Sequence, residues 1–264
     1  MRVQCAIAAV AGLQLILCQS WGQTNPLENS LPAPPNGKVW KMVWHDEFDG
    51  QTLDETKWET PPDGPRKTGW WMRKAVSLDG QGRLVMQTSR EDGKIIGGCV
   101  RTKGKFEHAF GYYVARVQLQ KEQGHWSSFW LYSPGVQTVG SDGRNGMEID
   151  IFEKFWLNDE VQHTLYWDSS GTSEKSRLQT ATVPGIREGW HTFALWWKPE
   201  EYVFYIDGKE TWRINPGAVC QVPQYIKLSD ETNSWCKDIT QAKLPDVFLV
   251  DYVRVYDLEN VGDR

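Results

Sequence analysis

The stretch His191-Thr-Phe-Ala-Leu-Trp-Trp197, with Tyr202-Val-Phe-Tyr-Ile-Asp-Gly208 and Glu210-Thr-Trp-Arg-Ile214 after it, decides the fold class. Phe193, Leu195 and Trp197 alternate with their neighbours, so one face of an extended strand is apolar. Asp207-Gly208 marks a hairpin, because a tight turn needs residues that tolerate positive φ. The same period of two recurs on either side of this hairpin. Tyr113, Ala115, Val117 and Leu119 oppose Tyr112, Val114, Arg116 and Gln118. Asp79-Gly80 and Gly82 punctuate a turn ahead of Leu84-Val-Met86, and Phe248–Tyr256 reads as an aromatic, β-branched strand. No long stretch repeats apolar residues at i, i+3, i+4 and i+7, and no internal repeat indicates a propeller. Many short strands at roughly 8–12 residue spacing predict an all-β sandwich or barrel.

The chain has 264 residues, a length that suits one large sandwich domain. Its charged fraction of 24% excludes a disordered chain, and its net charge of −5 argues against a nucleic-acid partner. Fifteen residues are Trp, more than a core of this size needs. Trp130, Trp190, Trp196 and Trp197 fall in strand patterns and are expected to pack between the sheets. Other rings are available to stack on the flat apolar faces of sugars. A Trp-rich, mildly acidic, all-β chain points toward carbohydrate.

Residues 1–22 read as an export signal. An apolar run from Cys5 to Cys18 follows Arg2, and Ser20 and Gly22 are the small residues before a cleavage ahead of Gln23. The run falls short of the roughly 20 residues that span a membrane. Residues 23–38, with four prolines, read as a lead-in, and 39–264 as a single catalytic domain. The mature chain is expected to be a monomer without a membrane span, secreted, periplasmic or at the cell surface. Cys99, Cys220 and Cys236 remain after the signal, and Cys220 with Cys236 is the best disulfide pair.

The sharpest local feature is Met147-Glu-Ile-Asp-Ile-Phe-Glu153. Glu148 and Asp150 share a strand face, whereas Glu153 at i+5 belongs to the other. A one-residue bulge between Asp150 and Glu153 restores all three to one face and leaves Ile149 and Phe152 for the core. Such a cluster suits glycosidic cleavage with retention, which needs an ionised nucleophile and a protonated acid/base about 5–5.5 Å apart. Glu148 and Glu153 form the pair, and Asp150 between them helps hold their protonation states apart. No Cys or His spacing resembles a zinc site, no loop specifies a calcium site, and no cofactor is required.

The run Glu148–Glu153 resembles the bulged signature Glu-x-Asp-x-x-Glu of glycoside hydrolase family 16, the form seen in laminarinases, agarases, porphyranases and carrageenases. The flanks extend the resemblance. Trp44-His-Asp-Glu-Phe-Asp49 with Leu53–Trp58 looks like the family's domain opening, and Gly124–Trp130 like the strand before the catalytic one. Gly189–Pro199, Phe204–Gly208 and Asp251–Tyr256 look like its late hairpin and closing strand. The resemblance implies a concanavalin-like jelly roll with a concave substrate cleft. It also implies Glu148 as nucleophile, Glu153 as acid/base, Asp150 as assistant and Trp126 as a cleft aromatic. One departure stands out: where many bulged members carry two histidines, Val161–Asp168 holds only His163, with Tyr166 near the place of the second.

The implied activity is that of an exported, retaining endo-β-glycanase acting on a glucan or galactan. Expected substrate contacts are Trp71, Arg73, Trp126, His163, Tyr166, Trp167, Glu231 and Trp235. Arg73, Arg101 and Arg144 are candidates for gripping an anionic substituent, although the sequence contains no basic run. A non-catalytic carbohydrate-binding protein on the same sandwich is the competing class, and the three intact acids argue against it. A cell-wall transglycosylase would use the same residues with a different acceptor.

Overall fold

The alternating segments assemble into two packed β-sheets in the computed structural model, which describes residues 31–217 and 219–262. The signal read from residues 1–22 and the first half of the lead-in, residues 23–30, lie outside the described residues. One sheet runs in the order Lys209–Ile214, Tyr202–Ile206, His191–Trp197, Gly111–Gln118, Asp246–Asn260, Leu84–Glu91, Lys94–Gly97, Gly69–Trp71 and Gly64–Arg66. Lys38–Asp46 also pairs with Asp246–Asn260, and Val76–Leu78 with Leu84–Glu91. The other sheet runs Lys175–Thr182, Glu160–Trp167, Glu148–Lys154, His125–Tyr132, Gln224–Thr232 and Cys99–Arg101, with Glu107–His108 also on Gln224–Thr232. Helical structure among the described residues is limited to short 3-10 turns. The architecture is a sandwich, one of the two forms the alternation predicts, and it is the jelly roll that the family resemblance implies.

Strand parity explains the core. Tyr113, Ala115, Val117, Phe193, Leu195 and Trp197 face inward from the first sheet. Phe129, Leu131, Ile149, Ile151, Phe152, Val161, Leu165, Ile226 and Leu228 meet them from the second. Phe152 packs against Phe193 with ring centres 4.1 Å apart. A second cluster covers the outer face of the first sheet, where Tyr112, Val114, Ala194, Val203, Tyr205 and Tyr252 pack with Trp40, Trp196 and Leu31. Of the tryptophans expected between the sheets, only Trp197 lies there. Trp196 belongs to the outer cluster, because it alternates with Leu195 and Trp197. Trp190 is half-buried beneath the guanidinium of Arg116.

The expected Cys220–Cys236 disulfide is absent: Cys99, Cys220 and Cys236 are all free thiols. The strand Gln224–Thr232 lies between the two candidates. Nine extended residues span about 30 Å, so cysteines at its opposite ends cannot meet.

Candidate active site

The catalytic strand Glu148–Lys154 carries the bulge, and both neighbouring strands record it. Against His125–Tyr132, Phe129 pairs with Phe152 but Trp130 pairs with Asp150, leaving Ile151 as the extra residue. Against Glu160–Trp167, Asp150 pairs with Thr164 and Glu153 with Gln162, so three steps on one strand match two on the other. Ile151 and Phe152 consequently both enter the core. Glu148, Asp150 and Glu153 emerge together on the outer face of the second sheet, in a cleft of about 490 Å³.

Neighbouring strands supply the walls by the same parity. Trp126, Ser128, Trp130 and Tyr132 come from one side, and Tyr225, Lys227, Ser229 and Glu231 from the next strand. Glu153 is held by three donors. Trp126 Nε1 donates to Oε1 at 2.9 Å, while Thr164 Oγ1 and Gln162 Nε2 donate to Oε2 at 2.6 and 3.3 Å. Trp126 in turn packs edge-on against Trp235, with ring centres 4.8 Å apart. Trp71 lines the cleft and lies under the guanidinium of Arg66, which holds Glu231 through two bonds of 3.0 Å.

Burial raises the pKa of all three acids. Glu148 is pushed up to about 7, because burial and the nearby Glu153 and Glu231 outweigh the pull of Lys227 and Arg66. Asp150 is driven well above the ordinary carboxylate value by burial and by Glu153 and Glu148. Its Oδ2 has no hydrogen-bond partner. Burial also raises Glu153, against the three donors that favour its anion. Burial therefore favours the protonated form of each acid, and of Asp150 most strongly.

This arrangement sets a stability prediction with a definite sign. A carboxyl whose folded pKa lies above its unfolded value stabilises the fold fully below about pH 4.5, and that contribution is lost as pH rises through about 7. Glu148→Gln should therefore stabilise the protein, relative to wild type, by about 2–3 kcal/mol more at pH 8 than at pH 4. Urea unfolding at the two pH values measures this; equal differences at both would rule out the buried proton.

The structure separates the expected substrate contacts. Trp71, Trp126 and Glu231 line the cleft. Tyr166 lies beside Glu148 in register, and burial with the three acids lifts its phenol above its ordinary pKa. Trp235 stands exposed against Trp126. His163, Trp167 and Arg73 are elsewhere. His163 and Trp167 alternate with Tyr166 and so face the core. Burial lowers His163 to about 4, which keeps its imidazole neutral. Its Nδ1 lies 2.6 Å from the carbonyl oxygen of Ile151 and its Nε2 2.9 Å from Thr211 Oγ1. His163 thus ties down the bulge from behind. Arg73 is exposed and pairs with Glu55 outside the cleft lining. Of the arginines considered for anion binding, Arg101 lines the cleft while Arg144 is exposed outside it.

Sequence reading missed Arg66, Lys67, Lys227 and Trp130. The chain contains no basic run, yet strands from distant segments collect Arg66, Lys67, Arg101 and Lys227 along one cleft. Trp130 was expected in the core. Its parity with Trp126 places it on the cleft face, where Nε1 donates to Ser229 Oγ at 3.1 Å.

Known proteins share the fold and match most of the chain. A family model described as the beta-porphyranase A–D domain of glycoside hydrolase family 16 matches residues 40–258. Beta-porphyranase B of Zobellia galactanivorans is 26% identical over 234 residues, covering 77% of this chain and 78% of that one. A beta-glucanase of Rhodothermus marinus is 29% identical over 248 residues, covering 82% and 85%. The crystal structure of porphyranase B from Z. galactanivorans superimposes with a TM-score of 0.72 at 23% identity, over 87% of this chain and 96% of that one. Sheet order, bulged acidic strand and domain-wide match agree: the chain belongs to glycoside hydrolase family 16 and is an endo-acting enzyme that hydrolyses glycosidic bonds of polysaccharides.

Proposed function

We propose that this chain is an exported, retaining endo-β-galactanase. The observation that carries the chemistry is the bulge at Ile151, which puts Glu148, Asp150 and Glu153 together on the floor of an aromatic cleft. Glu148 attacks the anomeric carbon as its carboxylate, while Glu153 gives its proton to the departing glycosidic oxygen. Glu153 then takes a proton from water, and that water's oxygen displaces Glu148 from the glycosyl ester. Oε2 of Glu153 keeps two donors throughout, whereas Oε1 faces Trp126 alone. Oε1 is therefore the oxygen that carries the proton toward the substrate. Asp150 lies between the two on the strand, its carboxyl driven toward the neutral form by burial and by both neighbours.

Support for a galactan over a glucan comes from the family model, whose printed description is a porphyranase domain and which covers residues 40–258. Export is supported by the signal pattern of residues 1–22.

A polymer screen with laminarin, mixed-linkage glucan, agarose, porphyran, carrageenan and mucin glycans tests the substrate class. Agar-type or porphyran galactan should yield oligosaccharides, and cleavage of laminarin or mixed-linkage glucan alone would sink the galactan reading. Proton NMR of the first product should show the β-anomer; an initial α-anomer defeats retention.

A further inference from the structure

The cleft holds a buried ammonium with no acidic partner in contact. Lys227 is 7% exposed, and its register neighbours are Trp130 on one strand and Arg101 on the other. Its Nζ lies 3.4 Å from the ring centre of Trp130, 5.3 Å from that of Trp71 and 5.6 Å from that of Tyr132. Among the described residues it forms no ion pair and no hydrogen bond. The other cleft cations differ: Arg66 is engaged by Glu231, Arg101 Nε donates to Glu59 at 2.6 Å, and Lys67 is exposed at the rim. Three ring faces offset part of the cost of burying a charge, and opposite charges nearby must supply the rest.

The carboxylates that act on it are Glu148 and, from its own strand, Glu231. Trp130, over which Lys227 lies, pairs with Asp150, and Tyr132 pairs with Glu148. We propose that Lys227 is a positioning residue for the nucleophile: its ammonium, aimed along the aromatic wall, is the counter-charge that keeps Glu148 ionised for attack. The proposal rests on Glu148 being the nucleophile. The groups facing Lys227 are Glu148, Asp150 and Glu153 from the catalytic strand, Glu231 from its own strand, and Cys99 and Arg101 from the flanking strand. Arg66 and Lys67 approach from the end of Gly64–Arg66 and the turn after it, Tyr132 from the adjoining strand, and Glu174 from the cleft lining. Of the cations, Lys227 acts most strongly on Glu148.

The test is the pH dependence of kcat/KM in the full chain. Lys227→Met removes the charge at similar volume. It should move the acid limb up by about one pH unit, a loss of about tenfold on that limb. Activity on the plateau should stay within about threefold, and KM should be unchanged. Lys227→Arg, which keeps the charge, should leave the limb within a few tenths of a unit. An unmoved limb with a pH-independent rise in KM would make Lys227 a substrate ligand and overturn the proposal. If thermal melting shows Lys227→Met unfolded, Lys227→Gln reports the same limb. Retained turnover in Glu148→Gln would remove the nucleophile reading itself, whatever the Lys227 variants show.

Discussion

Glu148→Gln is expected to reduce polymer hydrolysis by at least about a thousandfold while the fold and saccharide binding persist. The amide has the shape of the carboxylate but cannot form the glycosyl ester. Glu148 lies at the start of the strand beside Tyr132 and Tyr166, so the loss of charge leaves the core untouched. Glu153→Gln should also suppress polymer cleavage, but for another reason: the leaving oxygen no longer receives a proton. An aryl glycoside with an acidic leaving group needs no such proton. Glu153→Gln should therefore keep forming the glycosyl ester from that substrate, whereas Glu148→Gln should not. The split matters because three donors on Glu153 favour its anion in the unliganded cleft. Ester formation by Glu148→Gln and none by Glu153→Gln would reverse the two roles.

Trp58→Ala should produce the largest loss of stability, about 3–5 kcal/mol from the missing ring. Trp58 is fully buried and packs against Trp44 and Phe48, with ring centres 5.4 and 5.9 Å away. Its Nε1 donates to Asp46 Oδ2 at 2.7 Å. Asp46 is itself buried, and its other oxygen accepts from the Phe48 backbone at 2.9 Å. Alanine thus opens a cavity and also withdraws a donor from a buried carboxylate. Thermal melting should show a drop of roughly 10 °C or more. Trp58→Phe would fill most of the volume and isolate the donor's share; a melting point unchanged in the alanine variant would refute this account.

What the sequence made legible follows the strand period. Phe193, Leu195 and Trp197 announced a half-apolar strand, and the structure buries all three. The three acids announced a bulge, and two registers contain it. The misplacements come from treating neighbouring residues as companions. His163 and Trp167 have the opposite parity to Tyr166, so a strand that presents Tyr166 to the cleft must bury the other two. Trp130 shares the parity of Trp126 and should have been placed with it. Arg66 and Lys227 were illegible for a different reason. They lie 161 residues apart and line one cleft because Arg66 is held to Glu231 near the end of Gln224–Thr232, a non-local contact that no local pattern encodes. The cysteines failed likewise, since closeness in sequence across a strand means distance in space.

The bulge also sets a reading frame for insertions and deletions. Because Ile151 and Phe152 both point into the core, loss of either leaves acids at i, i+2 and i+4, still in phase on the cleft side. One lost codon therefore preserves the chemistry and charges the cost to packing. Removing Phe152 would take away the ring that contacts Phe193 and Phe248, whereas removing Ile151 would not. Loss of both would turn Glu153 away from its partners. This strand can lose one residue of the bulge without silencing the enzyme, but not two.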